Sequence, residues 1–504
     1  MYKFTTHENN YTSYTIIETD TFQPIVISIN PFDLKLFNND TFNLPKEIIY
    51  SPIRLNKYIT GIVAFNKTYG KEGKKFLYLC EPDDKRIPHF LIPYNNPVTF
   101  DKNLKNLYIT FEFKHWNNKF PVGTITQNFG PVDEINNFYE YMMYSKSLNV
   151  SIQDFTKKTL DTIQKNTNKT IINDIIEKYN IPIVTDNVFT IDTPNTIDFD
   201  DAISIKDNII SIYISNVPII IEYLNLWDSF TNRISNIYLP NKKYNMLPSI
   251  LGQLCSLNKQ ETKICLKIDF NIDTDETNIS NCAVKINNNY EYNDERLIAN
   301  KDYCNLQSIY KNKNSSQIVE TLMIKTNTFC AKYMNKFKNG IYKIINHSEE
   351  LSTSNYEIYN ESNCNYLTLT SPIRRLVDIL NIYQLCVNNN IFTFNDNATE
   401  FYLNWISKLE YINTTSKNIR KVQSKCNILS ICLLNIHTIY KGKIFDKMLL
   451  HNKYKYQVYI PELNVYSKIY SMEELDDQIE YNFKLFVFQN EGSFKNKIKL
   501  DIIW

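Results

Sequence analysis

The chain has 504 residues, with 55 Lys and Arg against 54 Asp and Glu, for a net charge of +1. That balance excludes a uniformly cationic nucleic-acid coat, so any contact with a polyanion must come from local patches. A hydrophobic content of 43% and an aromatic content of 14% suffice for well-formed cores, and the length leaves room for about three or four domains.

No run of about 18 apolar residues is present to span a membrane, and the start, MYKFTTHENN, lacks the apolar core of a secretory signal. Ten cysteines show no CxxC or zinc-type spacing, which points to buried thiols in a reducing compartment, without disulfides or zinc. Residues 1–140 alternate short strands with turns, the pattern of one partial and one complete OB-type barrel. From Val132 to about Tyr179 the pattern is helical, ending near Ile181-Pro182. Strands return after Ile436, in IYKGKIF, YQVYIPEL, FKLFVF and KIKLDII.

Between these regions, VFTIDTPNTIDFDDAISI places Asp192, Asp198, Asp200 and Asp201 within ten residues. Carboxylates this close repel one another, and a hard divalent cation relieves the repulsion by taking their oxygens as ligands. Magnesium-type sites of this kind usually do phosphate chemistry. A solvated Asp-rich turn is the plainer alternative. An EF-hand does not fit, because the third, fifth and twelfth positions from Asp192 are Pro194, Thr196 and Ile203, and Ile197 stands where glycine is needed. The flanks predict a strand over Asn187–Ile191, a turn over Thr193–Thr196, and strands over Ala202–Ile205 and Ile209–Val217 around a turn at Lys206-Asp207-Asn208. In an extended segment Asp198 and Asp200 share a face, Asp201 takes the other, and Asp192 returns across the turn, a geometry that could hold two ions.

The spacing of these aspartates resembles the acidic motif of the RNB-domain exoribonucleases, the ribonuclease II/R family. IYLPNKKYNMLPSILGQLCSL (Ile237–Leu257) is similar to that family's tyrosine-proline, MLP and CSL block. VETLMIKTN (Val319–Asn327) is similar to a helix that follows, and YLTLTSPIRRLVDIL (Tyr366–Leu380) to its TSPIRRY.D block. SPIR also occurs at Ser51–Arg54, without the family context. EPDDKRIPHFLIP (Glu81–Pro93) and FPVGTITQNFG (Phe120–Gly130) resemble the second cold-shock domain of the eukaryotic branch that contains the exosome catalytic subunit. That subunit's PIN domain has no room here, so docking on an exosome in the usual way is not expected.

The resemblance implies a multi-domain α+β chain. A partial first cold-shock/OB domain would span 1–55, a second cold-shock/OB domain 56–140, a helical linker 141–182, a central α/β RNB catalytic domain 183–435, and a C-terminal OB barrel that binds RNA 436–504. The implied activity is magnesium-dependent, two-metal hydrolysis of single-stranded RNA from its 3′ end to nucleoside 5′-monophosphates, with manganese as the alternative ion. Asp192 and Asp201 would anchor one ion, Asp198 and Asp200 would complete the site or hold a second, and Asp200 would be the most rate-critical. Arg374 would sit on the scissile phosphate, with Arg375 beside it, paired with a carboxylate such as Asp378. Tyr238 would stack on the 3′-terminal base, and Glu320 would lie near the terminal ribose. Outside the motifs, a surface arginine, a core tyrosine and a solvated helical glutamate are the plainer assignments. Lys417, Lys421 and Lys425 with Arg420 would form one basic helix face, and Lys71, Lys74, Lys75, Lys85 and Arg86 a second basic patch. The expected partner is single-stranded RNA, bound by a monomer in the cytoplasm, the nucleus being left open.

The sequence also departs from the family pattern. YISNVP (Tyr213–Pro218) replaces H-[IV]-A-D-V-S, Thr368 replaces a histidine before TSP, and LGQLCSL is one residue short. The segment between Glu295 and Gln317 lacks the usual arginine- and glycine-containing hairpin. These departures keep a second possibility open: a catalytically weakened RNB-fold protein that binds RNA or a partner.

Overall fold

The computed structural model describes every residue except 46, 96–104, 164–167, 349–350, 362–363, 435–437, 451–452, 464, 478, 488–497 and 504. The expected domain boundary at 435/436, and positions 488 and 497 of two expected C-terminal strands, lie outside the described residues. The chain forms two compact units: 1–149 with 239–241 and 420–504, and 150–238 with 242–419.

In the first unit, three sets of five strands share one order. Strands Ile59–Glu72, Lys75–Pro82, Phe90–Tyr94, Leu107–His115 and Val122–Pro131 close into a barrel in which the first pairs with the second and fourth, and the fifth with the third and fourth. This is the five-stranded OB arrangement. Its closing pair, Val122 beside Leu91, is parallel. The N-terminal strands Tyr2–Thr6, Tyr14–Glu18, Pro24–Ile25, Thr41–Asn43 and Glu47–Tyr50 follow the same order without a third-to-fifth pair among the described residues. So do the C-terminal strands Ile439–Leu450, Lys453–Ile460, Val465–Ser471, Glu480–Val487 and Ile498–Ile503.

Glycine is needed where barrel strands approach closely. A Cβ on Gly61 would lie 2.7 Å from Cys80 Sγ and 3.0 Å from Phe111. The first SPIR copy is structural: Arg54 folds back to donate to Ser51 Oγ and pairs with the buried Asp40 at 2.7 Å, its guanidinium over Phe37.

In the second unit, strands Ile183–Asp192, Asp201–Lys206, Ile209–Ser215, Thr262–Asn271 and Thr277–Glu291 close into another barrel. The expected strand Ile209–Val217 ends at Ser215, because Pro218, which fits a first helical turn, opens the helix Val217–Tyr223. The turn between the second and third strands puts Asp207 at φ 49° and Asn208 at φ 61°, as a two-residue hairpin requires.

Phe189, Ile203, Ile212 and Ile268 of the barrel join Ile318, Leu322 and Leu385 from the helices Ser315–Asn335 and Leu376–Asn388 in one core. Between Glu295 and Gln317 the chain forms two short helices, Glu295–Ile298 and Lys301–Ile309. No disulfide joins any of the ten cysteines. Among the described residues no helix is long and apolar enough to cross a membrane.

Asn381 ties this core to the segment ahead of TSPIRR. Fully buried, it accepts from Ile341 N and donates to the carbonyls of Ile341 and Thr368, each at 2.9 Å. Asn381→Ala should strand those backbone groups and cost about 2–4 kcal/mol. The expected result is a lower urea midpoint together with faster exchange of the Ile341 amide; unchanged exchange at Ile341 would contradict the assignment.

Candidate active site

Strand Ile183–Asp192 ends on Asp192, and its antiparallel neighbour Asp201–Lys206 begins on Asp201. Phe189 opposite Ile203 sets the register that brings both acids to one rim of the barrel. The intervening loop turns at Asn195, φ 64°, with Thr196 N on the Thr193 carbonyl at 3.2 Å.

Residues 196–200 are not extended in a strand, so the expected alternation of Asp198, Asp200 and Asp201 between two faces does not occur. The CSL block holds this loop instead. Ser256 Oγ accepts from Phe199 N at 3.0 Å and donates to the Ile197 carbonyl at 3.3 Å, while Leu257 N reaches the Phe199 carbonyl at 2.9 Å. Ser215 N takes the Asp200 carbonyl at 2.9 Å.

Asp200 is only 2% exposed. Its carboxylate accepts from Ile373 N at 2.8 Å and from Arg374 Nε at 3.0 Å, both in TSPIRR. Arg374 Nη2 folds back on Ser371 Oγ at 3.0 Å, while 47% of its side chain stays exposed. Arg375 pairs at 3.0 Å with the fully buried Asp378, which also accepts from Ser371 N at 2.8 Å. TSPIRR is therefore fixed from both sides.

Asp198 has different partners. It accepts from Lys243 Nζ and, at 3.2 Å, from Asn236 Nδ2. Asn236 also receives Met246 N at 2.6 Å and donates to the Tyr238 hydroxyl at 3.3 Å. The Tyr238 ring is 41% exposed, with Lys243 Nζ 5.7 Å from its centroid. Glu320 stands exposed on the helix Ser315–Asn335, and among the described residues no hydrogen bond or ion pair joins it to the aspartates. Lys417, Arg420, Lys421 and Lys425 are exposed along the helix Leu409–Leu434.

The remaining acids are short of positive charge. Burial pushes Asp192 up to about 6 and Asp200 up to about 7, in the latter case against the pull of Arg374. Asp201 is raised well above the usual range by burial first and then by Asp192 and Asp200. Asp192 Oδ2 is buried without a hydrogen-bond partner.

A crowded acidic rim with an unpartnered oxygen fits a hard cation. Among the described residues no three His, Cys, Asp or Glu side chains converge to cage a metal ion by themselves. Magnesium does not require that, since it commonly takes one or two carboxylates and fills its remaining positions with water and substrate phosphate. Asp192 and Asp201 are the fitting pair.

The departures at YISNVP fall at the end of a barrel strand and the start of the helix after it. Tyr213 donates to Asp186 at 2.9 Å, and Asn216 donates to Asn281 at 2.9 Å. Thr368 leaves its buried hydroxyl without a partner. Lys243 and Asn236 were not singled out from the sequence, because only tertiary folding brings their hairpin to Asp198.

Residues 182–302 match the RNB domain, and residues 77–145 match the Dis3-like cold-shock domain 2. The fold resembles Mycoplasma genitalium RNase R in complex with ribose methylated single-stranded RNA, at 15% identity and a TM-score of 0.68 over 100% of both chains. It also resembles that RNase R in complex with double-stranded RNA, at 15% identity and a TM-score of 0.64 over 95% of this chain and 100% of the other. Yeast Ssd1, a pseudonuclease, is similar at 14% identity and a TM-score of 0.57 over 87% of this chain and 68% of that one. No curated protein sequence matches. The solved structures share the fold, and the chain carries an RNB domain match that contains the acidic rim and a Dis3-like cold-shock domain 2 match ahead of it.

Proposed function

We propose that the protein is a magnesium-dependent 3′→5′ exoribonuclease that hydrolyses single-stranded RNA to nucleoside 5′-monophosphates, manganese being the alternative ion. The observation that carries this is the meeting of Asp192, Asp200 and Asp201 with Arg374 at one rim of the barrel, the three acids lying inside the RNB match. RNA as the substrate class is supported by the RNase R structures, whose bound ligands are single- and double-stranded RNA.

In this mechanism Asp200 orients Arg374 through Nε and leaves guanidinium N–H groups to receive the scissile phosphate and its growing charge. Tyr238 offers its exposed face to the terminal base, where stacking contributes about 1–3 kcal/mol whatever the base. Glu320 would meet the terminal ribose. A cation held by Asp192 and Asp201 would supply activation of the attacking water and charge relief at the leaving oxygen.

The likeness to the pseudonuclease Ssd1 favours a second reading, an RNA-binding protein without turnover. The two are separated by incubating the chain with magnesium and 5′-labelled single-stranded RNA. Progressive shortening from the 3′ end is expected, falling by at least about 10³-fold in Asp200→Asn with RNA affinity retained within a few-fold. RNA that is bound but stays intact would sink the enzyme reading.

The acidic rim also sets a pH dependence. A carboxylate whose pKa is raised on folding contributes stability below its unfolded value, near 4, and loses it as pH rises through the folded value. For Asp192 and Asp200 those folded values are about 6 and about 7. The metal-free protein should therefore melt at a lower temperature at pH 8 than at pH 5.5. Magnesium, which binds the ionised form, should raise the melting temperature more at pH 8 than at pH 5.5. An equal increment at both pH values would contradict a cation site on these residues.

A further inference from the structure

A cavity of about 480 Å³ adjoins the acidic rim, within the ~300–1,000 Å³ range of small-molecule sites. Asp198 and Ile373 form part of its wall, and Ile373 is the residue whose N–H holds Asp200. Asp192, Asp200, Asp201, Arg374 and Tyr238 are not among its lining residues. The cavity therefore lies next to Asp200 and Arg374 and shares Asp198 with the acidic cluster.

The lining is polar and offers both donors and acceptors to a small ligand. Lys243 is the single cation among the lining residues. The two lining acids are each paired already, Asp198 with Lys243 and Glu261 with the buried Lys263 at 2.7 Å. Lys243 keeps 27% of its side chain exposed. Asn245 also lines the cavity, and its Oδ1 is buried without a hydrogen-bond partner. An orphaned acceptor of this kind costs stability unless a donor arrives. The side chain of Gln253 adds a further amide to the wall.

We propose that this cavity receives the nucleoside 5′-monophosphate released by hydrolysis, with its phosphate on Lys243 and a ribose hydroxyl or base N–H donating to Asn245 Oδ1. The proposal rests on the exoribonuclease reading, which supplies the product. The cavity gives the leaving nucleotide a place that does not compete with the next phosphate for Arg374.

The test is calorimetric titration of uridine 5′-monophosphate, adenosine 5′-monophosphate, uridine and inorganic phosphate into the full chain and into Asn245→Leu, Gln253→Leu and Lys243→Met. RNA shortening by the unsubstituted chain is followed in parallel. Both monophosphates should bind the unsubstituted chain at least about tenfold more tightly than uridine or phosphate does. Asn245→Leu should weaken both monophosphates about tenfold, and Lys243→Met should abolish their advantage over uridine. Gln253 is exposed, so Gln253→Leu probes the wall even if Asn245→Leu fails to fold, and a several-fold loss is expected there too. Equal binding by all variants, or no binding while RNA is shortened, would overturn the cavity assignment and leave the exoribonuclease reading intact. Intact RNA together with Asn245-dependent binding would overturn the product role along with that reading.

Discussion

The second unit is organised around one buried carboxylate. Ionised Asp200 beneath the surface is costly unless it is paired and hydrogen-bonded, and removing one partner of such a pair is far more damaging than never burying it. Here the cost is offset by Ile373 N–H and Arg374 Nε, both from a segment more than 170 positions downstream. Arg374 in turn offers its backbone carbonyl to Asn236 N at 3.0 Å and Ser235 Oγ at 2.9 Å. The hairpin that carries Tyr238 and Lys243 is thereby fixed to the same centre. Satisfying one charge therefore positions the acidic loop, the arginine and the Tyr238 hairpin relative to one another.

The barrel supplies the second constraint. Asp192 and Asp201 meet because one strand stops where its antiparallel neighbour starts, and a one-residue slip in that pairing would turn the two acids to opposite faces. The loop between them closes one turn on itself, Thr196 on the Thr193 carbonyl, and its second half is tied elsewhere. Ser256 and Leu257 hold it through its backbone, leaving its carboxylates available for other partners. The CSL block thus acts on the site without contributing a charged group to it.

Much of this was legible because it is local. The turn at Lys206–Asn208, the strand ending near Asp192, the helical stretch after Val132 and the OB-type N-terminal pattern all follow from residues close together in sequence. The pairing of Arg375 with Asp378 follows from helical spacing. What escaped was non-local. Closure of the central barrel depends on pairing Ile183–Asp192 with the distant strand Thr277–Glu291, for which no periodicity in either segment is a signal. The shared face expected of Asp198 and Asp200, with Asp201 on the other, required an extended strand, and residues 196–200 form none but are tied to Ser256 and Leu257. Asp198 was grouped with the other acids by spacing alone, whereas folding gives it Lys243.

The two SPIR copies separate scaffold from chemistry. In both, the arginine folds back on the serine hydroxyl and neutralises a buried aspartate, Arg54 on Asp40 and Arg374 on Asp200. The tetrapeptide is therefore a device for burying a carboxylate, and the local sequence does not say which copy does more. The surroundings do. Asp40 has its charge met by Arg54 and Ser51, with further support from Phe37 N at 2.9 Å. Asp201 has Asp192 and Asp200 as neighbours, and Arg374 and Arg375 together do not offset the burial that raises these acids. A closed charge balance makes a structural joint, whereas the raised acids around Asp200, with Arg374 half exposed beside them, leave room for the cation and phosphate of the proposed function.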